Sequence, residues 1–250
     1  MRLPHKVSFA LRSLTNFSDL GAAAGLLANR ATSIGFADRL GLLLRTYRTT
    51  LNVDCAHTEA EIIAAISALL SAPSTRKGCF VEAGCFKGGS TAKFSLAAKL
   101  AKRRLFVFDS FEGLPDNDEE HGRTIYGETP GFQKGRYRGA LDEVKDNVGR
   151  FGAIEQCEFI KGWFDNTMPG FREPIVVAYI DVDLVSSTKT CVKYLFPLIQ
   201  PGGVLISQDG HLPLIIELLD DDSFWTKEIG CAKPEMLGLG KQKLVTIIKA

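Results

Sequence analysis

The 250-residue sequence predicts an α/β fold: a mostly parallel seven-stranded sheet with helices on both faces and an antiparallel C-terminal hairpin. Two observations predict the parallel part. Short, near-continuous apolar runs recur at residues 79–84, 105–109, 157–162, 175–183 and 204–209. They lack the polar alternation of a half-exposed strand, so they read as strands buried on both faces. Amphipathic helical stretches separate them. A third observation closes the sheet, because "TKEIGCA" (226–232) and "KLVTIIKA" (243–250) read as a terminal hairpin.

The elements follow in order. Residues 1–57 are helical in character, broken by glycines into short pieces, and are read as an extension serving as a lid or an oligomerisation surface; residues 58–250 form the main domain. In "HTEAEIIAAISALLSAP", Thr58 and Glu61 have capping-box spacing, Ile62, Ile66 and Leu69 share a face, and Pro73 ends the helix. A helix beginning near Gly89 carries Phe94, Ala97, Ala98 and Ala101 on one side. Another, 140–151, sets Leu141, Val144, Val148 and Phe151 in register, and one over 187–199 buries Val192, Leu195 and Ile199. Pro201-Gly202-Gly203 turns the chain into the fifth strand, and a short helix starts at Pro213. Residues 112–138 break the rhythm: no period, five glycines, and far more than the roughly 2–6 residues such connections need. They follow the carboxyl end of the second strand, where ligands bind in open α/β sheets, and are expected to form a mobile lid.

Composition narrows the function. A net charge near +1 gives no reason to expect nucleic acid, and the apolar start "MRLPHKVSFALRSL" is interrupted by Arg12, so no signal peptide and no membrane span are expected. A cytoplasmic location is the expectation. Six scattered cysteines without a C-x-x-C pair read as reduced thiols.

The glycine loop in "CFVEAGCFKGGST" (79–91) carries the chemistry. It fails the phosphate-loop spacing, with no lysine before Ser90, and fails G-x-G-x-x-G because Phe86 stands where a glycine is needed. Glu82 beside it suits a cation, and S-adenosylmethionine offers an ammonium and a positively charged sulfur. Gly84, Gly88 and Gly89 would let backbone approach that ligand. Asp109 ends the second strand, where an acid accepts from both ribose hydroxyls. At the ends of strands four and five, Asp181, Asp183 and Asp209 stand with Gln208 and His211, an oxygen-rich set suited to a hard cation such as Mg2+. Asp181 and Asp183, two apart on a strand, are expected to face one side.

Five motifs in order, "FVEAGCFKGGST", "FVFDSFEGLP", "KGWFDNTMP", "IDVDLVSST" and "FPLIQPGGVLI", resemble the macrocin O-methyltransferase family over about residues 46–211. The resemblance implies a Rossmann-like class I methyltransferase fold, S-adenosylmethionine as cofactor, often magnesium, and a hydroxylated small-molecule acceptor such as a glycoside. By position it implies that Glu82, Gly84 and Ser90 meet the methionine side, Asp109 the ribose, and Trp163 and Asp165 the adenine; Gly88, Ser110 and Asp181 are counted with these cofactor-binding residues. Asp181, Gln208 and Asp209 would hold the metal, and Asp183 or His211 would take the proton. The family usually ends strand five with two aspartates, whereas this chain has "SQDGH", so Gln208 removes one charge. A homo-oligomer is expected. Two alternatives stand beside this reading: a metal-independent methyltransferase using His211 or Asp183, and a non-catalytic S-adenosylmethionine-binding protein.

Overall fold

The computed structural model describes residues 17–32 and 34–250; the N-terminal stretch 1–14 weighed above lies outside them. The seven strands are β1 (Cys79–Ala83), β2 (Leu105–Asp109), β3 (Cys157–Lys161), β4 (Ile175–Ile180), β5 (Ile199–Ser207), β6 (Met236–Leu237) and β7 (Val245–Ile248). They lie in the order β3-β2-β1-β4-β5-β7-β6. β1 to β5 run parallel, while β7 is antiparallel to both β5 and β6. Every residue of β1 and of β4 is buried, Glu82 included, as the near-continuous apolar runs require. The strand order reverses between β1 and β4, opening a crevice at their carboxyl ends.

Eight α-helices flank the sheet among the described residues: α1 (Phe17–Ala28), α2 (Phe36–Asn52), α3 (Glu59–Ser71), α4 (Gly89–Leu100), α5 (Leu141–Phe151), α6 (Phe164–Thr167), α7 (Val185–Leu195) and α8 (Pro213–Asp220). The Thr58–Glu61 capping box is formed in both directions. The expectation that glycines break the N-terminal helices is corrected: Gly21 and Gly25 lie inside α1 and Gly41 inside α2. Glycine weakens a helix interior by only about 1 kcal/mol, and tertiary packing outweighs that here. Leu26 of α1 and Leu42 and Leu43 of α2 join Ile62, Ile66, Phe80 and Phe94 in one apolar cluster. Lys93 of α4 and Glu59 of α3, both fully buried, pair at 2.6 Å, and Thr50 of α2 donates to the same Glu59 oxygen.

Several boundaries differ from expectation; the helix expected over 187–199 runs Val185–Leu195, and Ile199 belongs to β5 instead. β4 stops at Ile180, three residues early, because the chain reverses at Asp183 (φ 62°), where the Leu184 amide donates to the Val182 carbonyl. β5 starts at Ile199 and contains Pro201-Gly202-Gly203 as an irregularity opposite Ile175–Val177. Residues 226–229 are not a strand. They belong to a π-helix, Phe224–Ile229, fixed by the buried Trp225, whose Nε1 donates to the Leu219 carbonyl at 2.7 Å; Met236–Leu237 pairs with β7 instead.

Residues 112–138 contain no helix or strand. They are anchored chiefly by polar groups. Glu119 accepts from the Val185 and Ser186 amides at 2.6 and 2.9 Å, capping the start of α7, and His121 stands 3.2 Å from the same carboxylate. Leu114 and Arg136 exchange a backbone bond across the base of the loop, and the Ile125 amide donates to the His211 carbonyl. No helix among the described residues is long and apolar enough to cross a membrane, and none of the six cysteines is in a disulfide.

Candidate active site

A cavity of about 500 Å³ opens at the β1–β4 switch point. The loop after β1, the end of β2, the turn after β4, the end of β5 and residues 113–137 enclose it. This volume matches the range for small-molecule sites.

One part of its wall comes from β1, β2 and β3. Gly84, Asp109, Ser110 and Trp163 line the cavity as expected. Asp109 accepts from the Cys85 and Phe111 amides, each at 2.7 Å, one on each oxygen, which fixes the carboxylate and leaves lone pairs for hydroxyls. Burial raises its pKa, opposed by those two amides.

Other residues assigned to the cofactor stand elsewhere. Glu82, Gly88, Ser90 and Asp165 do not line the cavity. Glu82 is fully buried beside the first turn of α4; burial pushes its pKa up to about 8, and the Ser90 and Thr91 hydroxyls oppose that shift without closing a hydrogen bond. Asp165 is exposed and accepts from Thr190 of α7 at 2.6 Å. The loop glycines also serve packing. A Cβ on Gly84 (φ +82°) would stand 1.9 Å from the Asp181 carbonyl, and one on Gly88 (φ +80°) 3.0 Å from Val144.

The other part of the wall is acidic. Asp181, Asp183 and Asp209 present oxygens that all lie within 4.8 Å of one another. Strand alternation is not the reason, since Asp181 and Asp183 lie beyond β4. The tight turn at Asp183 aims them together, and Asp209 Oδ2 pins it by accepting from the Val182 and Asp183 amides at 3.2 Å each. Burial, then the neighbouring acids, raises the pKa of both Asp183 and Asp209. Three oxygen donors that repel one another fit a hard divalent cation, which would offset the repulsion. Gln208 lines the cavity, but its Oε1 accepts from the Tyr179 hydroxyl at 3.1 Å, so the cluster is three aspartates with the glutamine turned to Tyr179. His211 also lines the cavity, with Nδ1 buried and unpartnered; burial, then Lys243, holds its pKa below the usual histidine value.

Sequence reasoning missed His57, whose Nε2 lies 2.7 Å from Asp181 Oδ2 across 124 residues of chain. No spacing signal marks such a pair. Arg136, Tyr137 and Lys243, also on the wall, were equally unmarked.

Comparison with known proteins matches these features. The family model for macrocin-O-methyltransferase (TylF) matches residues 71–221. The chain is 32% identical over 141 residues to the 8-demethyl-8-(2,3-dimethoxy-alpha-L-rhamnosyl)-tetracenomycin-C 4'-O-methyltransferase of Streptomyces olivaceus, covering 53% of this chain and 52% of that one. It is 29% identical over 156 residues to the mycinamicin III 3''-O-methyltransferase of Micromonospora griseorubida, covering 58% and 59%. The matched stretch thus spans about half the length of these relatives. Among solved structures, the O-methyltransferase NovP aligns over 98% of this chain and 99% of its own at 19% identity and a TM-score of 0.67, so the two share a fold. With the sheet order, the cavity at the switch point and the motifs from Phe80 to Ile206 all in place, the chain belongs to the macrocin-O-methyltransferase family.

Proposed function

We propose that this protein is an S-adenosylmethionine-dependent O-methyltransferase that methylates a hydroxyl of a sugar or another small natural product with the help of a divalent cation such as Mg2+. The observation that carries this reading is the convergence of Asp181, Asp183 and Asp209 in the same cavity as Asp109. When bound, S-adenosylmethionine supplies a methyl group on positively charged sulfur, and a divalent cation makes a hydroxyl more acidic. Asp109, already oriented by two amides, accepts from vicinal ribose hydroxyls. Asp181 and Asp209 would hold the cation, with Gln208, turned to Tyr179, beside them. Asp183 would take the acceptor's proton, so that the O–H bond breaks while the oxygen bonds the methyl carbon and the carbon–sulfur bond breaks, leaving S-adenosylhomocysteine. Residues 113–137 cover the cavity and exclude water.

The protein incubated with S-adenosylmethionine and a panel of glycosides is expected to add one methyl group, read by mass spectrometry. EDTA should abolish the turnover and Mg2+ restore it. A second reading rests on His211, neutral and unpartnered at Nδ1. A rate indifferent to EDTA in metal-free protein, abolished by His211→Ala, would establish that reading and end the cation proposal. Cofactor binding with no methyl transfer to any hydroxyl would leave a non-catalytic binder.

The homo-oligomer expected from the sequence is proposed to form through α2. Phe36, Leu40, Leu44 and Leu51 fall on one helical face and are 57%, 38%, 63% and 52% exposed. Sedimentation at micromolar concentration should show a dimer or larger, and Leu44→Glu should reduce it to a monomer. A monomeric wild type would end this proposal.

A further inference from the structure

We propose that His57 is a positioning residue for the cation site, holding the Asp181 carboxylate in place and coupling the segment before α3 to metal binding. The inference rests on the cation reading above. His57 is 5% exposed, and its ring is fixed from three sides. Nε2 meets Asp181 Oδ2 at 2.7 Å, Nδ1 stands 3.4 Å from Cys55 Sγ, and the ring packs edge-on to Tyr179 with centroids 5.6 Å apart. Its backbone is fixed as well, because the next residue, Thr58, caps α3 in a two-way capping box.

Asp181 needs such a partner. It lies beyond the end of β4 and faces Asp183 and Asp209, which repel it. With Oδ2 bonded to His57, its other oxygen remains for the cation and the carboxylate cannot rotate away. Groups that bond a metal's carboxylate ligands set affinity by fixing geometry. His57 lies outside the 71–221 stretch that matches the family model, so that match does not account for this contact.

The test measures Mn2+ affinity by electron paramagnetic resonance, with S-adenosylhomocysteine bound, in wild type, His57→Phe and His57→Gln. Phe keeps an aromatic ring without the donor, whereas Gln keeps a donor of similar reach. His57→Phe should weaken Mn2+ binding by about 10–100-fold, and His57→Gln should recover most of it, with S-adenosylhomocysteine affinity unchanged in both. In wild type, added Mg2+ should slow amide exchange over residues 54–58. Equal Mn2+ affinity in wild type and His57→Phe would overturn the inference, as would a Gln variant no better than Phe. Should His57→Phe fail to fold, shown by lost S-adenosylhomocysteine binding, the exchange experiment decides: no Mg2+-dependent slowing at 54–58 overturns it. A wild type that binds no Mn2+ removes the cation reading, and this inference with it.

Discussion

Asp183→Asn is expected to lower turnover by roughly 10²–10⁴-fold, the range for loss of a general base, while S-adenosylhomocysteine affinity stays within about twofold. The substitution is chosen for the backbone. Asp183 sits at φ 62°, a region where asparagine is as tolerant as aspartate, so the tight turn survives and only the proton acceptor is lost. Stability should move the other way. The carboxylate is disfavoured by burial and by Asp181 and Asp209, so the neutral amide relieves repulsion, and the metal-free variant should melt higher than wild type. The pH dependence follows the same sign. The pKa of Asp183 is raised in the metal-free protein, so its carboxylate costs stability above the ordinary carboxylate range, and the gain from Asp183→Asn should appear there and vanish at lower pH. Wild-type turnover in Asp183→Asn, or loss of S-adenosylhomocysteine binding, would remove Asp183 from the proposed role.

The second large effect is on stability. Lys93→Met leaves Glu59 fully buried without its ammonium partner, while Glu59 Oε2 already lacks any hydrogen-bond partner. Breaking a buried pair from one side costs about 3–5 kcal/mol, on the order of 10 °C in Tm for a chain of this size. Adding Glu59→Gln to that variant removes the stranded charge and should recover most of the loss in a thermal or urea melt. A single variant as stable as wild type would show that the pair contributes nothing. Because Thr50, Glu59 and Lys93 join α2, α3 and α4, the loss should reach the N-terminal helices and the domain that carries the cavity together.

The sequence by itself determined the layered parallel sheet, because strands buried on both faces must be almost wholly apolar, and 79–83, 105–109 and 175–180 are, save for Glu82 and the terminal Asp109. It also determined the start of α3, since a capping box is local chemistry between Thr58 and Glu61. The carboxylates were legible as candidates because Asp109, Asp181 and Asp209 stand at strand ends, where an α/β sheet binds ligands. Local reading failed where a distant contact decides. Trp225, buried beside Phe196 and bonded to the Leu219 carbonyl, pulled a strand-like stretch into a π-helix. Glu82 looked ready for a ligand but is enclosed beside α4, and Asp165 turned outward to Thr190. Only the tertiary structure set three aspartates around one point, by a turn at Asp183 that Asp209 holds from 26 residues away. Only it brought His57 to Asp181, because a hydrogen bond across 124 residues depends on how α3 packs on the sheet and leaves no period or motif in the chain.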